Sequence, residues 1–385
     1  MAGIYIHIPY CRRKCHYCNF FSLASAKLKE PFLKALKLEI LQTREYLSGE
    51  PVHTVYFGGG TPSVYPPGQL QEVLNMVVPP TAPTLNREGE KDLQEITMEI
   101  NPEDVTEEYI ADLKQTGFNR FSIGIQSFFD EDLLYLNRSH TASQAIDSVR
   151  LLKDAGYSNI SIDLIYGIPT SGFTRWQENI DIAVSLDVPH LSAYALTVEP
   201  RTPLAWMIGK KRSAPVSEEL QVDQFRFLTG KTKEYGYLQY EISNFCKPGY
   251  PAIHNTNYWM GVPYLGLGPS AHSYNGISRR WNRSNLSGYI EGISNGDCIF
   301  EEEMLTTAQR YNEYVMTSLR TMWGCNSKKI ISDFGFTIYD LFKKCASPMI
   351  DNGLLTEVSG VYFLTDEGKL FADRVASDLF LTGGG

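Results

Sequence analysis

Six short runs of β-branched and aromatic residues, each followed by a stretch with helical apolar spacing, constrain this chain more than any other feature. The runs fall at residues 4–8, 53–57, 95–100, 120–125, 159–166 and 190–197; the helical patterns between them include 28–46, 144–155 and 174–186. Strands that alternate with helices build parallel βαβ units, because a parallel return needs a crossover long enough to pack on the sheet. Six units are fewer than the eight of a closed barrel. The expected fold class is therefore α/β, a partial (β/α)6 barrel, with a doubly wound sheet as the rival. Both architectures put their chemistry beyond the carboxyl ends of the strands.

The pattern changes after residue 236. Residues 237–245 read as another strand, 248–276 are crowded with Gly, Pro, Asn, Tyr and His, and 306–322 are helical. Residues 354–358 and 361–364, joined by Ser359 and Gly360, have the form of a two-residue hairpin, after which Thr365 caps a last helix running to 379. The expectation is a core over 1–236 and a smaller α+β domain over 237–385 with a winged-helix-like end. That end carries no basic surplus, which points to packing or docking rather than DNA reading. Residues 79–92 are expected to be a surface loop and 381–385 a frayed tail.

Composition narrows the function classes. Hydrophobic residues at 43% and charged residues at 21% exclude a disordered or fibrous chain. A formal charge of −9 argues against broad adhesion to nucleic acid. No run approaches the roughly 18 apolar residues of a membrane span. The opening residues lack the basic start and apolar stretch of a secretory signal and the Arg-rich, Ser-rich character of a transit peptide, so a cytoplasmic location is expected.

Seven cysteines stand at 11, 15, 18, 246, 298, 325 and 345. An odd count with three inside eight residues is a poor disulfide framework and a better metal or cluster site. Cys11, Cys15 and Cys18 follow the first strand, in a segment that offers no fourth local cysteine. Three thiolates on a four-iron cluster would leave one iron open to an outside molecule, as a reactive cluster needs. The alternative is a structural zinc ion with His16 or His7 as fourth ligand. Arg12, Arg13 and Lys14 add weak electrostatic support for an anionic cluster.

The spacing Cys-x3-Cys-x2-Cys resembles the signature of radical S-adenosylmethionine (SAM) proteins, and the likeness to their coproporphyrinogen dehydrogenase-like group covers nearly the whole chain. The resemblance implies a [4Fe–4S] cluster on the three cysteines whose fourth iron chelates SAM, and reductive cleavage of SAM to a 5′-deoxyadenosyl radical. Gly58-Gly59-Gly60-Thr61-Pro62 ends the second strand, and its glycines permit close backbone approach and free amides; the plain reading is a tight turn. Glu99 ends the third strand, where it suits ribose hydroxyls or a helix cap. Gln126 ends the fourth. Asp163, in an apolar strand, needs a partner such as Arg138. By resemblance, Tyr5, Tyr17, Gly59, Gly60, Thr61, Glu99, Gln126, Arg138, Asp163 and Ala195 are the SAM-contacting positions.

Two branches of that group differ in ways this sequence displays. The decarboxylating dehydrogenases carry a further cysteine two residues after the triplet and an N-terminal extension. Here that position is Phe20 and the first strand starts by residue 4. The other branch, the HemW haem chaperones, is marked by His-Asn-x-x-Tyr-Trp, which stands here as His254-Asn255-Thr256-Asn257-Tyr258-Trp259. Histidine is a common haem ligand and aromatic rings flank porphyrin faces. Haem contact by His254, Tyr258 and Trp259 is therefore expected, with His254 as a core histidine the plain alternative and Cys246 or His272 as other ligands. The resemblance further implies haem transfer to a respiratory haem protein, peripheral membrane contact through that partner, and a homodimer promoted by the cluster. The competing activity is SAM-dependent oxidative decarboxylation of coproporphyrinogen III.

Overall fold

The computed structural model describes residues 1–25, 27–78 and 93–381; the loop expected at 79–92 and all but the first residue of the expected tail lie outside them. Strands β1 (Ala2–Ile8), β2 (Val52–Gly59), β3 (Glu95–Ile100), β4 (Arg120–Gln126), β5 (Ile160–Tyr166) and β6 (His190–Ala195) pair in parallel, each with the next in chain order. A doubly wound sheet reverses its strand order at a switch point. No reversal occurs here, so the six units form the partial barrel. Alternation along β1 sends Ile4, Ile6 and Ile8 into the core under the helix Lys29–Gln42, while Tyr5 and His7 face a cavity.

The sheet does not stop at the sixth strand. Its full order is β12-β11-β10-β9-β1-β2-β3-β4-β5-β6-β8-β7, with β7 at Leu238–Gln239, β8 at Asn244–Cys246, β9 at Tyr264–Leu267, β10 at His272–Tyr274, β11 at Ser278–Asn282 and β12 at Phe300–Met304. The one strand expected at 237–245 is instead the antiparallel pair β7 and β8. Glu241 makes the turn between them, its carboxylate accepting the Ser243 amide at 2.8 Å. The irregular stretch at 248–276 holds the helix Ile253–Trp259 as well as β9 and β10. Because β9 pairs in parallel with β1, the chain on both sides of residue 236 shares one sheet. Buried Glu39 ties that added edge to the Lys29–Gln42 helix, accepting from the Gly268 amide at 2.7 Å, Asn282 Nδ2 at 2.6 Å and the Tyr289 hydroxyl at 2.7 Å.

A second apolar cluster begins at Tyr311 and runs to Leu379. It joins the helices Thr307–Leu319, Ser327–Phe334 and Phe336–Asp351 to a three-stranded sheet in the order β13-β15-β14, where β13 is Cys325–Asn326, β14 Leu355–Val358 and β15 Val361–Leu364. The hairpin has the expected register. Ser359 at φ 54 and Gly360 at φ 83 give the left-handed pair that matches strand twist. Thr365 caps as expected, accepting the Gly368 amide at 3.0 Å, but the last helix is split into Asp366–Lys369 and Ala372–Ser377. The chain bends at Phe371, whose φ is −119, and so turns Val375, Ala376 and Leu379 into the second core.

Candidate cluster and ligand site

A cavity of about 620 Å³ lies at the carboxyl ends of β1 to β6. Cys11, Cys15 and Cys18 line it together with Tyr17, Gly59, Gly60, Thr61, Glu99, Gln126, Arg138, Asp163 and Ala195. Three thiols and nine of the ten expected ligand positions, drawn from all six strand ends, are thus in one place. Tyr5 is the exception. It stacks on Tyr56 with centroids 6.1 Å apart and lines a different, larger cavity.

The cysteine loop is shaped by main-chain bonds. Its stem is closed by the Cys11 amide on the Leu23 carbonyl at 3.1 Å and the Leu23 amide on the Pro9 carbonyl at 2.9 Å. Its tip is held by the His16 amide on the Leu136 carbonyl at 3.1 Å and by Asn137 Nδ2 on the Lys14 carbonyl at 2.8 Å. Burial pushes the thiols of Cys11 and Cys18 above the usual thiol range, so metal binding there must expel protons. Arg138 donates to Cys15 Sγ at 3.3 Å and sets a permanent cation beside the triplet.

Among the described residues, no three Cys, His, Asp or Glu side chains close around a point the size of a single ion. Of the two histidines offered for zinc, His7 is engaged at both ring nitrogens and His16 at one. His7 bonds Tyr5 through Nδ1 at 3.2 Å and the Phe21 carbonyl through Nε2 at 2.8 Å, and His16 bonds the Tyr135 carbonyl through Nδ1 at 2.8 Å. Thiols along one wall of a roomy cavity, beside a fixed cation, suit a bulkier anionic group such as a cluster. Of the neighbouring cations, Arg12 is taken by Asp104 at 2.6 Å, whereas Arg13 and Lys14 line the cavity.

The glycine run works differently from the expectation of free amides. Gly60 N–H donates to the Ile8 carbonyl at 2.8 Å and Thr61 N–H to the Tyr10 carbonyl at 2.7 Å. A Cβ on Gly60 would lie 2.5 Å from the Tyr10 carbonyl oxygen. These residues let the loop after β2 press against the start of the cysteine loop, and their amides are satisfied there. Close approach holds, but toward the protein's own backbone.

Two carboxylates share the floor. Glu99 accepts from the Tyr56 hydroxyl at 2.8 Å, and burial together with nearby Asp163 raises its pKa to about 7. Asp163 on β5 is served by Ser122 of β4 at 3.2 Å and by Ser192 of β6, and burial lifts its pKa too. The anticipated Asp163–Arg138 pair does not form. The Arg138 guanidinium instead donates to Asn101 Oδ1 and the Gly124 carbonyl, each at 2.7 Å. Ser122, Ser192 and Asn101 were not evident from the sequence, because small polar residues in strands, or just past a strand end as Asn101 is, carry no pattern until their neighbours across the sheet are known.

The second cavity, of about 1330 Å³, lies between the β9–β10 edge and the Thr307–Leu319 helix. Tyr258, Trp259, Tyr264, Tyr274, Trp323 and Phe334 give it aromatic walls, and Arg279, Arg310 and Lys329 give it cations. Asn19 and Phe20 line both cavities, so the two adjoin just after Cys18; Phe20 is 69% exposed.

The helix Ile253–Trp259 spans them. Asn255 faces the smaller cavity, Tyr258 and Trp259 the larger. Its first amides, of Ile253 and His254, donate to the Glu95 carboxylate at 2.8 and 2.9 Å, and Arg120 stands 3.7 Å from the same group. His254 lines neither cavity. It is 1% exposed, bonded to Thr54 through Nδ1 and to the Tyr258 hydroxyl through Nε2, both at 2.8 Å, and stacked on Tyr56. Cys246 is likewise buried in β8 and lines neither cavity.

Comparison with known proteins agrees with this geometry. Residues 5–182 match the family model described as the Radical SAM superfamily. The chain is similar to a heme chaperone HemW of Bacillus subtilis, 32% identical over 378 residues that cover 97% of this chain and 98% of that protein. It is 30% identical over 385 residues to the heme chaperone HemW of Escherichia coli, covering 98% of each. Among solved structures it superposes on the coproporphyrinogen III oxidase HemN of Escherichia coli, a radical SAM enzyme, with a TM-score of 0.82 over 98% of this chain and 90% of that one. At 21% identity that likeness is one of fold.

Proposed function

We propose that this protein binds haem and hands it on, reasoning from the premise that the chain belongs to the HemW family of the radical SAM superfamily. Membership implies a [4Fe–4S] cluster and SAM, which when bound supply one-electron chemistry. Cys11, Cys15 and Cys18 are the proposed cluster ligands. Glu99, Asp163, Gln126, Ala195 and the walls formed by Tyr17, Thr61 and the glycines receive SAM, and Arg138 balances the charge of the thiolates. Tyr5 then acts through Tyr56, which donates to Glu99.

The observation that carries the haem reading is the aromatic cavity adjoining the cysteine loop. It is large enough for a tetrapyrrole, Tyr258 and Trp259 offer ring faces, and the wall cations suit its carboxylates. Arg310 is the freest of these, since Arg279 pairs with Glu313 and Lys329 with Asp333, while Arg310 has no ion pair among the described residues. In this reading His254 positions Tyr258. Release to a haem-accepting respiratory protein, a cytoplasmic setting, contact with the membrane through that partner and a homodimer complete the proposal. Among the described residues no helix is long and apolar enough to cross a membrane.

The alternative, oxidative decarboxylation of coproporphyrinogen III, draws on the shared fold and the preserved SAM cavity. Against it stands Phe20, an unreactive ring at the junction where substrate and SAM would meet. The deciding experiment uses the full chain loaded anaerobically with iron and sulfide. Saturable haem uptake without turnover of coproporphyrinogen III is the expected result, and efficient conversion to protoporphyrinogen IX would replace this proposal with the enzyme.

A further inference from the structure

Three histidines stand at or near the larger cavity, and their ring nitrogens separate them. Both nitrogens of His7 are bonded, and so are both of His254. His272 is exposed to the cavity, and among the described residues neither of its ring nitrogens has a hydrogen-bond partner. A ligand for iron needs a nitrogen lone pair that is not already occupied.

The position of His272 is nevertheless well defined. Gly266 on β9 lies against the His272 carbonyl more closely than any Cβ would allow, and its amide donates to Ser273 Oγ at 2.9 Å. The Asn282 amide donates to the Ala271 carbonyl at 2.9 Å, closing the sheet on the other side. His272 pairs with Trp281 across β10 and β11, and the imidazole lies over the indole with centroids 6.2 Å apart and planes 27° apart. The ring is thus oriented through its face, and both nitrogens stay available. Burial, then the Arg279 cation, lowers its pKa from the ordinary histidine value, which keeps it neutral near pH 7.

We propose that His272, rather than His254, is the protein ligand to the iron of haem seated in the larger cavity; this rests on the haem-binding reading above. The test titrates ferric haem into the full-length, cluster-loaded chain and follows Soret difference spectra and electron paramagnetic resonance. Wild type is expected to give a saturable histidine-ligated spectrum. His272→Ala should lose that signature and bind haem about tenfold or more weakly. Added imidazole should restore the signature, and SAM affinity should be unchanged because His272 lies outside the smaller cavity. His254→Gln should keep the histidine-ligated spectrum. A His272→Ala spectrum identical to wild type would overturn the assignment while leaving haem binding intact. Failure of wild type to take up haem saturably would overturn the haem reading itself, and this assignment with it.

Discussion

Glu99 and Gly60 show how much single residues decide at the ligand cavity. With its pKa near 7, Glu99 accepts hydrogen bonds fully only when ionised. A ligand that donates hydroxyls to it binds the carboxylate form, so affinity strengthens as pH rises through about 7. SAM affinity of the loaded protein is therefore expected to rise between pH 6 and 8, and Glu99→Gln should flatten that profile; calorimetric titration at several pH values checks it. Gly60 works through space alone. Gly60→Ala drives a methyl to 2.5 Å from the Tyr10 carbonyl oxygen, forcing the loop after β2 away from the cysteine loop. The expected cost is about 1–3 kcal/mol by denaturant unfolding, with fewer irons retained per chain. The placing of the glycine run and of Glu99 at strand ends was legible in the sequence, whereas the bonding of the Gly60 and Thr61 amides to the protein's own backbone was not. The partners of Asp163 were not, because serines on the two neighbouring strands meet it only once the sheet has formed.

Among the elements, the helix Ile253–Trp259 depends on a carboxylate far away in the chain. Glu95, at the start of β3, takes both of its first amides and sits beside buried Arg120. Replacing Glu95 by Ala leaves two helix donors without their acceptor and a buried guanidinium, still bonded to Asn159, without its counter-charge. The expected destabilisation is about 3–5 kcal/mol, read as a lowered denaturation midpoint together with weakened haem binding. The parallel strands and three of their crossover helices, Lys29–Gln42, Ala142–Asp154 and Gly172–Ser185, were readable from periodicity within a few residues at each end. This helix was not, since seven residues rich in Asn, Thr and aromatics carry no amphipathic period.

For the molecule as a whole, the larger cavity is bounded on one side by the barrel sheet edge and on the other by helices of the second apolar cluster. A ligand there contacts both. Haem is accordingly expected to slow amide hydrogen exchange in 258–264 and in 310–329 together. Mass spectrometry of exchanged peptides checks this, and protection confined to one side would place haem elsewhere. The shared position of Asn19 and Phe20 makes the cysteine loop the common wall of both cavities, so cluster loading should also alter exchange on the haem side.

From the amino-acid order alone came the six βα units, the cysteine triplet and the polar residues at the strand ends, because each is written in local spacing or at a predictable end of an element. Folding in three dimensions decided which nitrogens remain open, which amides are already satisfied and that one helix serves two cavities. Those outcomes turn on contacts between segments far apart in the chain, such as Thr54 with His254, which are 200 residues apart. Short-range periodicity carries no record of such contacts, since many distant pairings are compatible with the same local pattern.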